Sequence, residues 1–200
     1  MAYGLWFMEM KRLLKVLFIV GLTLSCIGLL RIGYYHVKAE VAQIFIESAW
    51  DKSQNDKFHQ PVKPWSWADT WPVLKLEVPS IHLSTLVLKD ASGQSLAFAA
   101  GIMSPDIFPG DFGNSFIAAH RDTQFKNIDR LNKQDEIQIT NYRGEKISFY
   151  VDQIMVVDSR VEQPITDTGD RRLTLVTCYP FEASEANTPF RYLVSAKMID

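Results

Sequence analysis

From residue 73 onward the chain is a succession of short strand-type segments separated by turn residues, and this pattern limits its fold more than any other feature. Residues 73–78 (VLKLEV) alternate apolar and polar side chains, and Pro79 and Ser80 mark a turn. Residues 81–88 (IHLSTLVL) read as a second strand ended by residues 89–93, and residues 95–101 as a short helix or turn. Pro105, Pro109, Gly110 and Gly113 break the next stretch, after which residues 115–119 (SFIAA) form a buried strand ending at His120. Residues 125–131 suit a helical turn. Residues 136–140 and 146–151 flank 141–144 as a hairpin, and 153–157 continue strand-like. Residues 172–177 and 192–198 supply the last two strands. Many short strands with almost no helical periodicity predict a mainly β domain over residues 72–200, a closed antiparallel-rich barrel or a sandwich.

The residues before it differ. Val16 to Leu30 carry no charge, and with their flanks they make residues 13–35 long enough to span a bilayer, Lys15 and Arg31 reaching the interfaces and Tyr34 and Tyr35 lying at the far one. Lys11, Arg12 and Lys15 precede the run, which places residues 1–12 in the cytoplasm and the rest on the extracytoplasmic side. No small-x-small cleavage site comes after the run, and Cys26 reads as a small apolar residue of a membrane helix. Residues 36–71 read as a helical segment and linker. Val37, Val41, Ile44, Phe45 and Ala49 share a helical face, and Pro61, Pro64 and Pro72 interrupt regular structure beyond it. Trp65, Trp67 and Trp71 crowd that linker and are expected to pack it onto the β domain.

Several function classes drop out. A formal net charge of -2 leaves no basic face of the kind nucleic acid needs. Two cysteines, Cys26 in the apolar run and Cys178 in the β domain, exclude a disulfide framework and a multi-cysteine zinc site. His36 and His59 read as solvated and His82 as a satisfied histidine within a strand, none with a second ligand at metal spacing.

Cys178 stands apart. Residues 173–177 are apolar or β-branched, and Pro180 cannot donate to a ladder, so a strand ends at this cysteine. His120 follows another strand, and Arg191 opens a third. A closed sheet gathers strand ends on one rim whatever their separation in sequence. A thiol is a strong nucleophile once ionised, a histidine moves protons near neutral pH, and an arginine holds a developing oxyanion. Together they fit acyl transfer at a peptide carbonyl. Taken singly, each has an ordinary reading: an inert thiol, a surface histidine, a salt-bridged arginine. Arg121, Arg171 and Arg172 compete for the cationic role.

Thr174-Leu175-Val176-Thr177-Cys178 resembles the TLxTC signature of sortases, the membrane-anchored cysteine transpeptidases. His120, followed by Arg121-Asp122-Thr123, resembles their histidine segment, and Arg191 matches their arginine in order and spacing. The resemblance covers roughly residues 70–200. It implies a sortase-like closed β-barrel of about eight strands. It also implies that Cys178 attacks the threonine carbonyl of an LPxTG-like sorting signal, that His120 serves as acid and base, and that Arg191 steadies the oxyanion. Leu175, Thr177 and Tyr179 would contact substrate. No cofactor and no metal are implied, Asp152, Asp158 and Glu162 being too scattered for a calcium site. The sequence shows no second apolar span near its end, as pilin-polymerising relatives carry, and no Asp-Pro-aromatic lid motif. The Trp-rich linker and compact barrel are similar to the sortases of Gram-negative proteobacteria, which puts the barrel in the periplasm and leaves the acceptor amine open.

Three other readings compete. A papain-like hydrolase places its cysteine before its histidine, and an L,D-transpeptidase has arginine two residues after its cysteine, where this chain has Pro180. A tethered β-domain that only binds a partner, with Cys178 structural, is the non-enzymatic alternative.

Overall fold

The computed structural model describes residues 2–56, 60–104, 106–161, 167–183 and 188–198. His59 and Glu162 lie outside them, as does the side chain of His36. The chain divides into two compact units, residues 1–42 and 43–200.

One helix, α1 (Ala2–Asn55), runs through the division. In the first unit its apolar side chains, among them Leu17, Phe18, Leu24, Leu29 and Leu30, are exposed. Among the described residues no helix is long and apolar enough to cross a membrane.

Among the described residues the second unit holds eight strands: β1 (Pro72–Val78), β2 (Leu83–Leu88), β3 (Ala100–Ile102), β4 (Gly113–Ala118), β5 (Glu136–Asn141), β6 (Lys146–Asp158), β7 (Arg171–Cys178) and β8 (Phe190–Met198). They close into a barrel in the order β1-β2-β3-β4-β7-β8-β6-β5, with β5 pairing back onto β1. Most pairs are antiparallel, as expected, but β2–β3 and β4–β7 are parallel. Alternation decides the interior: Leu74, Leu76, Val78, Ile117, Ile137, Ile139, Leu173, Leu175, Val194 and Ala196 are fully or almost fully buried there.

Two segments depart from the sequence expectations. Residues 79–81 form a 3-10 turn, and His82 comes next in a left-handed conformation (φ 52) and is exposed, so β2 begins only at Leu83. The proline at 79 favours that turn over a continued strand. Residues 95–101 split into a one-turn helix, α2 (Gly93–Leu96), capped by the Ser92 hydroxyl, and strand β3. Gly101 of β3 lies so close to the backbone of residues 90–91 that an added Cβ would stand 2.2 Å from the Asp90 carbonyl oxygen.

The end of α1 belongs with the barrel by packing. Its buried face is Ile46, Ala49, Trp50 and Ser53, one helical stripe, while Ile44 and Phe45 are exposed, contrary to the expected face. Ile46 packs with Leu88, Ala99, Trp65 and Phe98. The Ser53 hydroxyl accepts from the Val62 N–H at 2.9 Å, and the Gln54 amide donates to the Asn141 carbonyl at 2.8 Å. Two of the three linker tryptophans pack as expected. Trp65 meets Phe98 edge-on at 5.9 Å, and the Trp71 ring lies under the Lys89 ammonium at 4.4 Å. Trp67 is 79% exposed.

Candidate active site

Strands β4, β7, β8 and β6 present their outer faces side by side. In β7 the residues on that face are Arg172, Thr174, Val176 and Cys178, every second position. Register sets Cys178 opposite Arg191, Val176 opposite Leu193 and Thr174 opposite Ser195 on β8. On the other side Arg172 pairs with Asn114, Thr174 with Phe116 and Val176 with Ala118 of β4. Beyond β8, Leu193 pairs with Met155, and Arg191 with Val157, of β6. Over this floor lies a groove of about 580 Å³, whose lining includes Met103, Phe116, Met155, Val157, Val176 and Leu193 as well as Arg191. Its middle is apolar. One end is closed by Arg191, beside the strand end that carries Cys178, and the other by polar side chains.

The three candidate reactive residues occupy neighbouring strand ends. Directly opposed residues in an antiparallel pair have Cα atoms about 4.5–5.5 Å apart, and Cys178 and Arg191 are such a pair. Arg191 is half-buried, and its Nη1 donates to the Phe190 carbonyl at 2.9 Å and to the Thr188 carbonyl. Among the described residues its Nε and Nη2 have no partner, leaving the rest of the fork for another acceptor. His120 lies two residues beyond Ala118, as Cys178 lies two beyond Val176, the partner of Ala118. The Ala119 N–H donates to the Val176 carbonyl at 3.2 Å, so the two strands still pair one residue before His120. His120 is exposed and Cys178 half-buried, the accessibility that a proton carrier and a nucleophile need.

The flanking residues expected to touch substrate fall elsewhere. Leu175 is fully buried in the barrel core, on the face opposite the groove. Thr177 also points inward, 2% exposed, and its hydroxyl donates to the Ala119 carbonyl at 2.7 Å. That bond ties the strand of Cys178 to the residue before His120. Tyr179 stacks on Tyr192, with ring centroids 6.2 Å apart, and both rings meet Phe181 edge-on. It is a packing residue beside the site and does not line the groove. The reason is period 2: counting back from Cys178, even steps reach the floor and odd steps reach the core.

Two features are not evident from the sequence. The Arg121 guanidinium, next to His120, donates from Nη1 to the Pro180 carbonyl at 2.8 Å and from Nη2 to the Ala183 carbonyl, linking the histidine loop to the turn after the cysteine. The second is the floor itself, in particular Phe116, Leu193 and Arg172. Alternation from Cys178 could have flagged Arg172, whereas Phe116 and Leu193 depend on strand order. Among the described residues no cluster of His, Cys, Asp and Glu is placed to hold a metal ion.

Similarity to known proteins points the same way. A family model for the sortase domain matches residues 76–199. Sortase D of Bacillus subtilis (strain 168) is 27% identical over 125 residues, and the match spans 62% of this chain and 62% of that protein. A sortase D5 transpeptidase of Clostridium perfringens superposes with a TM-score of 0.65 at 22% identity, over 80% of this chain and 99% of that one. Sortase C of Streptococcus pneumoniae superposes with a TM-score of 0.56 at 26% identity, over 63% of this chain and 65% of that one.

Proposed function

The chain belongs to the sortase family, and from that premise we propose that it is a membrane-anchored cysteine transpeptidase acting on proteins that carry an LPxTG-like sorting signal. The observation that carries the proposal is the pairing of Cys178 with Arg191, which closes one end of the groove, one strand from the end that bears His120.

The reaction runs in two displacements. The Cys178 sulfur attacks the carbonyl carbon of the scissile residue, forming a C–S bond, and the carbonyl oxygen takes up negative charge. The free part of the Arg191 fork donates hydrogen bonds to that oxygen. As the tetrahedral centre collapses, the C–N bond breaks and His120 gives a proton to the departing amine. An incoming amine then gives its proton to His120 and attacks the thioester. A new amide forms and the thiolate leaves. Water in place of the amine gives hydrolysis. The apolar middle of the groove accommodates the leucine and proline of the signal by burial alone.

Residues 13–35 serve as a single membrane span, with the barrel on the extracytoplasmic side. The uncharged run from Val16 to Leu30 and the exposed apolar side chains from Leu17 onward support this. The resemblance of the Trp-rich linker and compact barrel to proteobacterial sortases would put the barrel in the periplasm, with the acceptor amine open.

The test is mass spectrometry of the protein mixed with LPxTG-like peptides. A mass increase on Cys178 equal to the acyl portion, absent in Cys178→Ala, is the expected result. No adduct from any such peptide would overturn the substrate class. For the anchor, the full chain should stay with membranes through alkaline extraction, and release into the soluble fraction would overturn it.

A further inference from the structure

The groove does not end where an LPxTG-like motif would end. Its far end is built from Asn114, Gln153, Thr168, Arg172, Thr174 and Ser195, all polar. Arg172 lies on the same face of β7 as Cys178 and six residues away, so the two are about 20 Å apart along the strand. An extended peptide covers that distance in about six residues, more than the four that precede the scissile bond in the motif.

Arg172 is held in place by three neighbours. Its Nε donates to Asp170 at 3.0 Å, and its Nη1 donates to Asp152 at 2.8 Å and to the Ser195 hydroxyl at 3.3 Å. Lys197 completes the network on Asp170 at 3.2 Å. Asp152 is the extra residue of a β-bulge in β6, a device that redirects a side chain. Of these charged groups only Arg172 lines the groove. Its Nη2 has no partner among the described residues. The groove therefore sees a fixed cation with a donor to spare, while the carboxylates that orient it stay outside. Gln153 adds amide hydrogens beside it.

We propose that this end is a second recognition point for the substrate, selecting an acidic or amide side chain about five to seven residues before the scissile bond. The inference rests on the transpeptidase reading above, because it places the peptide along the floor from Cys178. Complementarity is the argument: the Nη2 hydrogens of a guanidinium whose position is fixed donate to a carboxylate or amide oxygen and offer nothing to an ammonium. An apolar side chain there would cover donors without replacing their bonds to water.

The experiment uses the wild-type protein and peptides that share one sorting motif but carry Asp, Asn, Leu or Lys at the position six before the scissile bond. Acylation of Cys178 is followed at varied peptide concentration. Asp and Asn should lower KM relative to Leu by about tenfold, the scale of one charge-assisted hydrogen bond at a partly exposed site. Lys should be the poorest, and kcat should be nearly constant. Arg172→Gln should abolish the advantage of Asp over Leu. Gln153→Leu, at an exposed position, provides a milder variant that should reduce it without disturbing the ion pairs. Equal KM for all four peptides, with Cys178 acylated by each, overturns the second recognition point and leaves the transpeptidase intact. Failure of every peptide to acylate Cys178 overturns both.

Discussion

The Thr177 hydroxyl offers a way to separate a residue that touches substrate from one that sets the geometry of the site. It is buried and donates to the Ala119 carbonyl at 2.7 Å, one residue before His120. Thr177→Val keeps the branched shape that suits a strand and removes the donor. The Ala119 carbonyl is then left without this bond in a dry environment, at a cost of about 1–3 kcal/mol. For a domain of this size each kcal/mol lowers the melting temperature by about 2–4 °C. If the bond also fixes the strand end that carries His120, acylation of Cys178 should slow while KM for peptide stays close to wild type. Thr177→Ser, which restores the donor, should recover most of both. The assays are thermal unfolding and single-turnover thioester formation. Slow acylation at unchanged stability, with a raised KM, would refute the structural role and return the hydroxyl to the substrate. Lowered stability with wild-type acylation would refute the link to His120.

Other perturbations probe other parts of the molecule. Arg191→Lys keeps a charge but loses the fork, and kcat for acylation should fall by about 10²-fold or more; an unchanged kcat would remove the guanidinium from the oxyanion role. Gly101→Ala puts a methyl group against the backbone at Asp90, which cannot swing aside, and should destabilise the barrel by about 1–3 kcal/mol or more, read from the urea midpoint. A midpoint equal to wild type would mean that residues 90–91 move freely. At Asp90 partial burial works against ionisation, but hydrogen bonds from Ser92 and Ser95 outweigh it and hold the carboxyl at about 2. A lowered folded value stabilises above the unfolded value, about 3.9, and that contribution is lost as pH falls through about 2. Asp90→Asn should therefore be less stable than wild type at neutral pH, with the difference closing between about pH 4 and pH 2. A difference that persists unchanged to pH 2 would show that the carboxylate charge is not what matters.

Sequence alone settles the class of fold, because alternation and turn residues are local properties. The segments at 73–78, 136–140, 172–177 and 192–198 correspond to β1, β5, β7 and β8 within a residue or two. Sequence also singles out Cys178, His120 and Arg191, since each stands where an apolar strand stops or starts. The 81–88 segment reads too long because Pro79 has the look of a simple break, whereas it opens a 3-10 turn that His82 closes with a positive φ. The helix face around Phe45 reads wrongly because periodicity counts every apolar side chain as inward, while packing on Leu88 and Ala99 selects Ile46 and Ala49.

The site beyond those three residues belongs to tertiary structure. Leu175 and Thr177 sit beside the cysteine in sequence, yet the pleat turns them into the core, and Val176 and Thr174 take the floor. Which strands flank β7 is not a local property at all. Phe116 and Leu193 reach the groove because β4 pairs with β7 in parallel and β8 pairs with it antiparallel, across gaps that no periodicity reports. The sequence determined that a strand ends at a cysteine; the closure of the barrel decided that an arginine would face it, that a histidine would end the strand alongside, and that a second arginine would stand six residues away at the far end of the groove.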